Sequence, residues 1–282
     1  MKTYLFKVKT KTKVQDFLLK ELNLSLNIIN KIKNGRIFID GEPCKSLFDT
    51  LNANSEIEIV LPKDEVNPYL TPNNYPLDVV YEDEYILAVI KPKGMLTHSS
   101  KYNKAPTLES AVVSRFNEPF TFRSINRLDK DTSGIVIIAK DIISASYFNS
   151  LIKANGIKKT YYALVVGKPS IQNFIIDAPI DRESEHSIKR VVTPLGKQSK
   201  TECLNVKELP NNLSVVEVLL WTGRTHQIRV HFSYIGHPLY ADALYGEKVD
   251  GKTYTLHAGK IEFTHPFTSE KIVLTSPLNE LF

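Results

Sequence analysis

Acidic and basic side chains crowd one stretch of this sequence more suggestively than any other. It runs from Ser124 to Lys140 and reads S-I-N-R-L-D-K-D-T-S-G-I-V-I-I-A-K. Arg127, Asp129, Lys130, Asp131 and Thr132 fill its first half, Gly134 separates the halves, and Ile135 to Ala139 form a continuous apolar run. Such a run predicts a strand buried on both faces. A carboxylate loop fastened to the core just before that strand would hold reactive geometry well. Taken alone, the stretch equally supports a surface turn with a local Arg127–Asp129 ion pair.

Other chemistry-bearing residues are sparser. His98 follows the turn residues Pro92 and Gly94 in K-P-K-G-M-L-T-H and reads, as lone histidines commonly do, as a hydrogen-bonded structural residue. His226 and His231 are five apart, not the three or four that lets two imidazoles share a metal on one helix, so no metal site is expected. Cys44 and Cys203 lie far apart with no C-x-x-C partner, which argues against a zinc site or disulfide framework and makes a reducing cytoplasm the default. The start, M-K-T-Y-L-F-K-V-K-T, is broken by lysines and is not expected to be a secretion signal, and no apolar run approaches bilayer-spanning length. A net charge of +5 and a pI near 8.9 raise the question of an acidic partner without answering it.

The elements that must position these residues divide the 282-residue chain in two. In the first part, Lys7, Lys9, Lys11 and Lys13 alternate with Val8, Thr10 and Thr12, so an extended segment would carry a row of ammonium groups on one side. Two helices should follow, Val14 to Leu22 and one capped by Ser25 with Ile28, Ile29 and Ile32 on its apolar face, ended by Gly35. R-I-F-I-D-G then predicts a strand and an Asp40–Gly41 turn, and Ile57 to Leu61 a last strand. Four prolines between Leu61 and Pro76 mark a linker.

Beyond it, Leu77 to Tyr81 and Tyr85 to Lys91 read as a hairpin across Glu82–Asp83–Glu84. Asp141 should cap a helix from Ile142 to about Lys153, and Lys158 to Gly167 a strand with Tyr161 and Tyr162 on opposite faces. Ile180 to Lys200, carrying Arg182, Lys189, Arg190, Lys197 and Lys200, reads as a long loop or ragged hairpin. Leu213 to Leu220 predicts a strand, followed by a helix with Thr225 as N-cap, Gly236 as stop, and Ile228, Phe232 and Ile235 docked on the sheet. The last strands should turn at His265–Pro266.

Two resemblances organise these readings. The N-terminal order of helix, S-x-x-x-I-x-K-I-K-N-G-R-I-F-I-D-G and closing strand is similar to the S-four-like RNA-binding domain, which implies that Lys31, Lys33 and Arg36 face phosphates. It departs from that domain at Leu26, where arginine usually follows the serine. From about Leu77 to Leu281 the ordered motifs K-P-K-G-M-L-T-H, N-R-L-D-K-D-T-S-G-I-V-I-I-A-K, K-T-Y-Y-A-L-V-V-G, T-G-R-T-H-Q-I-R-V-H-F-S-Y-I-G-H-P-L-Y and L-H-A-G-K-I-E-F-T-H-P resemble the pseudouridine synthases of the RluA type. Asn126 stands where a histidine usually precedes R-L-D.

The resemblance implies an α+β fold with a mixed, mainly antiparallel sheet flanked by helices, plus the small N-terminal domain. Domains of 1–61 and 77–282 joined by a linker at 62–76 are expected. The implied reaction detaches uracil from its sugar, rotates it, and rejoins it through ring carbon, with no cofactor. Asp129 resembles the catalytic aspartate, as nucleophile on the sugar or as the base that makes a glycal. Arg229 resembles the arginine that pairs with it bidentately, offsetting desolvation. Tyr161 resembles the tyrosine that stacks on the uracil. Arg127 is expected to help hold the extruded base, and Lys159, Arg182, Arg190, Arg224 and His226 to contact RNA. The expected partner is ribosomal RNA, with transfer RNA the other candidate, for a cytoplasmic monomer with no obligate protein partner and no membrane contact. The rival function is a non-catalytic RNA-binding or chaperone protein on the same fold.

Overall fold

The computed structural model describes residues 2–71, 73–101, 105–169 and 172–278. Pro72 of the expected linker and positions 279–282, where the second resemblance ends at Leu281, lie outside the described residues.

The N-terminal unit is a small sheet under two helices. Strands β1 (Thr3–Lys7), β3 (Ile37–Ile39), β4 (Glu42–Pro43) and β6 (Glu56–Val60) pair antiparallel in the order β1-β6-β3-β4, and β2 (Thr12–Lys13) pairs with β5 (Thr50–Leu51). The predicted lysine row is therefore not one strand. β1 stops at Lys7, the chain bends, and β2 joins a different sheet, because Val8 turns into the core. Helix α1 (Val14–Asp16) runs on as a π-helical turn over Phe17–Glu21, and α2 (Leu26–Ile32) starts at Ser25, whose hydroxyl accepts from Ile28 N at 3.4 Å. Ile29 and Ile32 bury their side chains, as the helical spacing predicts.

The second unit is built on one sheet. Among the described residues it holds β7 (Asp78–Glu82), β8 (Ile86–Lys91), β9 (Ser133–Ala139), β10 (Ile157–Val166), β11 (Phe174–Asp177), β14 (Lys200–Leu209), β15 (Leu213–Leu220), β16 (Leu256–Thr264) and β17 (Lys271–Thr275). The order is β11-β14-β15-β10-β16-β9-β8-β7, with β17 also on β16, and a separate hairpin joins β12 (Ile180–Arg182) to β13 (Arg190–Val192). Within the sheet, β9 and β16 pair parallel at Ser133–His257 and Gly134–Ala258, and every other pairing is antiparallel. Gly134 sits there at φ +114°, and a Cβ would overlap the Ala258 backbone, so that junction requires glycine.

Strand β9 is buried on both faces, as its unbroken apolar run predicts. Val136 and Ile138 join a core with Ile228 and Phe232 of α5 (Gln227–Tyr234) and Leu108 and Val112 of α3 (Leu108–Arg115). Ile135, Ile137 and Ala139 join the opposite core with Phe148 of α4 (Ile142–Lys153). Helices thus flank both sides of a mixed sheet, the α+β arrangement expected. Asp141 caps α4 by accepting from Ser144 N at 2.8 Å.

The two units share core. Ile143 at the start of α4 packs into the N-terminal cluster, while Asp141 accepts from the Tyr4 hydroxyl at 2.7 Å and the Lys2 ammonium at 2.8 Å. Residues 62–71 and 73–76 form no strand or helix but are tied down. The Asp64 carboxylate pairs with Arg123 and accepts from Thr121 N at 3.0 Å, and Asn67 donates to Glu109 at 2.9 Å.

Candidate active site

The loop that carries Asp129 is held from several directions. Asn126 extends the edge of β9 with its side chain: Nδ2 donates to Ile135 O and Oδ1 accepts from Ile137 N, both at 2.9 Å. A side-chain amide carries both donor and acceptor, so the residue that departs from the family pattern works here as a short piece of strand. Thr97 Oγ1 donates to Leu128 O at 2.8 Å, Thr132 N to Asp129 O at 3.2 Å, and Lys91 Nζ to Lys130 O at 3.0 Å. Three successive carbonyls around Asp129 are thus anchored.

Asp129 opens onto a cleft of about 660 Å³ that Arg127, Lys159, Tyr161, Arg224 and His226 also line. Arg229 Nη1 and His226 Nε2 converge on the same carboxylate oxygen, Asp129 Oδ2, at 3.6 and 3.9 Å. The bidentate partner of Arg229 is, however, not Asp129. Its Nε and Nη2 donate to Asp242 at 2.7 and 2.8 Å, and Asp242 is fully buried. A guanidinium beneath the cleft floor needs a desolvated counter-charge, and Asp242 takes the fork while one nitrogen remains for Asp129. Tyr254 and Tyr245 lie under the guanidinium, with ring centroids 4.2 and 4.9 Å from Arg229 Cζ.

The helix carrying Arg229 begins later than the sequence suggests. Thr225 does not cap it; His226 is the N-cap residue, in the left-handed region at φ +58°. No side chain caps this helix end; Gln227 instead ties it to the preceding loop and to β14, its Oε1 accepting from Arg224 N at 2.9 Å and from Thr222 Oγ1 at 2.8 Å and its Nε2 donating to Lys200 O at 3.0 Å. The strained residue is thereby the one whose imidazole faces Asp129. Tyr245 Oη accepts from Arg190 N at 2.9 Å and lies 2.8 Å from His226 Nδ1. Burial, ahead of the opposing pull of Asp129, holds His226 below the usual imidazole range, so the ring is neutral near pH 7.

Tyr161 enters the cleft from β10 beside a bulge between Thr160 and Tyr161, and Tyr162 points the other way. Burial, and then the charge of Asp129, pushes the Tyr161 hydroxyl well above its ordinary range, so it stays protonated. Burial also lowers Lys159.

The other predicted contacts are scattered. Arg182 is exposed and donates to Glu185 O at 2.9 Å, away from the cleft. Arg190 reaches Tyr245 with its backbone N–H, and the charge of its guanidinium acts on His226. Lys31 and Arg36 line a second cavity of about 1320 Å³ walled also by residues 61–68, 116–121 and 140–142, and Lys33 is exposed at the end of α2. Arg123 lines both cavities. Among the described residues no cluster suited to a metal ion occurs, and His231 is buried between Thr201 Oγ1 and Ala178 O at 2.8 and 2.9 Å.

Asp242, Tyr245 and Tyr254 escape a reading by motif. The signal for the first two was the segment A-D-A-L-Y-G, where an aspartate sits between two alanines just past the third motif. His98, read as structural, lines the cleft with its Nε2 3.1 Å from Ser124 Oγ and its ring against Phe122.

Comparison with known proteins fits this architecture. The profile of the RNA pseudouridylate synthase family matches residues 85–234. A Bacillus subtilis protein described as an uncharacterised RNA pseudouridine synthase, YjbO, is 32% identical over 92% of this chain and 93% of its own. The ribosomal large subunit pseudouridine synthase D of Xanthomonas campestris is 32% identical over 88% and 80%. The structure of human RNA pseudouridylate synthase domain containing 1 superposes with a TM-score of 0.59 at 28% identity, covering 73% of this chain and 85% of that one. Matched through its core and over nearly its whole length, the chain belongs to the RNA pseudouridylate synthase family and is an RluA-type RNA pseudouridine synthase, an isomerase.

Proposed function

We propose that this synthase isomerises uridines of large-subunit ribosomal RNA to pseudouridine, with Asp129 as the reacting carboxylate. The observation that carries the reading is the meeting of Arg229 and His226 on one oxygen of Asp129, at the floor of a cleft that Tyr161 lines. A carboxylate at the floor of such a cleft is placed for attack on the sugar or for removal of a sugar proton. The N-glycosidic bond breaks, the uracil turns within the cleft, and its ring carbon bonds to the sugar; that carbon then loses its hydrogen as a proton, and the freed ring nitrogen takes one up. Tyr161, protonated and buried, packs against the base. Arg127, Lys159, Arg224 and His226 contact the flipped nucleotide and its neighbours, while Arg182 and Arg190 hold more distant RNA. The choice of ribosomal RNA is supported by relatives named as large-subunit enzymes.

In this reading residues 1–61 form the RNA-binding domain, 62–76 the linker and 77–282 the catalytic domain. Lys31, Lys33 and Arg36 meet phosphates, whose contribution weakens with salt. The test is Asp129→Asn in the full chain, with pseudouridine formation followed in ribosomal RNA and binding measured separately. Turnover should vanish while RNA affinity stays within a few-fold. Wild-type turnover by that variant would overturn the role of Asp129, and unchanged ribosomal RNA modification in cells lacking the protein would overturn the substrate.

A further inference from the structure

A second, smaller groove opens beside the cleft, about 300 Å³ in volume. The two share Ile152, Lys159, Leu220, Gly223 and Arg224 as walls, so they are continuous. Lys153, Lys158, Lys159 and Arg224 give the groove four cations, and no carboxylate is among its lining residues. Its remaining distinctive wall is Trp221, the only tryptophan in the protein and 40% exposed.

Lysines alone would make an ordinary solvated basic surface. The indole changes the reading, because leaving so large an apolar ring in water is costly and the ring is not loose. Trp221 Nε1 donates to Glu202 at 2.7 Å, its backbone N–H donates to Lys200 O at 3.2 Å, and the Lys200 ammonium stands 5.4 Å from the ring centroid. A fixed aromatic face beside a row of cations is the arrangement that receives single-stranded nucleic acid, with bases stacked on the ring and phosphates along the cations.

We propose that this groove is a nucleotide subsite, in which Trp221 stacks on a base adjacent to the target uridine in the same RNA strand. Lys158, Lys159 and Arg224 hold the intervening phosphates. The subsite rests on the reading of the Asp129 cleft as the place where the target uridine reacts. A flipped nucleotide leaves its neighbours unstacked, and a stacking surface there replaces part of what flipping removes.

The single tryptophan makes the test direct. The full-length protein is titrated with single-stranded octauridylate, following intrinsic tryptophan emission, and with the same RNA carrying a fluorescent label, following anisotropy. Saturable quenching should accompany binding and recede with added salt. Trp221→Leu should weaken binding about 5- to 140-fold, and Trp221→Tyr, which keeps an aromatic face, should retain most of the affinity. Absence of quenching, with or without a rise in anisotropy, overturns the proposal, as does a Trp221→Leu variant that binds like the wild type. Asp129→Asn should quench normally while losing turnover. Turnover by that variant would count against Asp129 and leave the groove standing, whereas unquenched emission in an active wild type would count against the groove alone.

Discussion

Lys91 shows how much of this candidate site is held by one residue that does not line the cleft. It is fully buried, and its ammonium donates to Pro92 O, Met95 O and Lys130 O at 2.8, 2.7 and 3.0 Å, using all three hydrogens. Those bonds join the K-P-K-G-M turn to the loop of Asp129. Burial pushes its pKa from 10.5 down to about 8, against the pull of Asp131 and Asp129. Below that pH the group is charged and makes all three bonds. Above it, two hydrogens remain and one carbonyl loses its donor. Turnover should therefore fall as pH rises through about 8. A Lys91→Met variant should be slow throughout and lack that limb. A pH–rate profile checks this, and a wild-type rate that stays level through that range would count against it.

At the scale of elements, the β12–β13 hairpin reaches the start of α5 through one phenol. Tyr245 Oη accepts from the Arg190 N–H at the head of β13 and bonds His226 Nδ1 at the helix N-cap. The segment read as a ragged, RNA-touching hairpin is thereby connected to the imidazole that faces Asp129. Tyr245→Phe keeps the ring beside Arg229 but leaves the Arg190 N–H without that acceptor and frees the imidazole to turn. The expected cost is about 1–3 kcal/mol of stability, with a drop in kcat and little change in KM. Steady-state kinetics with denaturant unfolding measure both, and an unchanged kcat would show that His226 needs no such support.

For the whole molecule, the N-terminal unit is docked rather than tethered. Its core takes Ile143 from α4, the Tyr4 ring packs against Phe267 and Tyr85 at centroid distances of 5.8 and 6.3 Å, and Tyr4 and Lys2 both bind the Asp141 that caps α4. Removing the N-terminal unit would expose Ile143 and the rings around it, and Asp141 would lose two partners. Because the two cores share side chains, the full chain should melt in one cooperative transition. Scanning calorimetry reads this directly, and two well-separated transitions would mean that the units unfold independently. The segment between the units adds to this, since Asp64 grips Arg123 and Thr121 beside the cleft wall.

The local grammar of the chain was readable from its residues. The unbroken run Ile135 to Ala139 specified a strand covered on both sides, Asp141 and Ser25 specified helix starts, and the ordered motifs specified the family. These features act over a few residues, so spacing and residue type suffice to express them. Tertiary structure alone decided which charge meets which. Arg229 gives its fork to Asp242, thirteen positions on, rather than to Asp129, and Tyr4 finds Asp141 across 137 positions. It also turned Asn126 into an edge for β9 and set Trp221 beside the cleft. The physical reason is common to the first three. A buried or strained polar group takes whatever partner the packed sheet brings within about 3 Å, and that partner is chosen by register and topology, which no local spacing encodes.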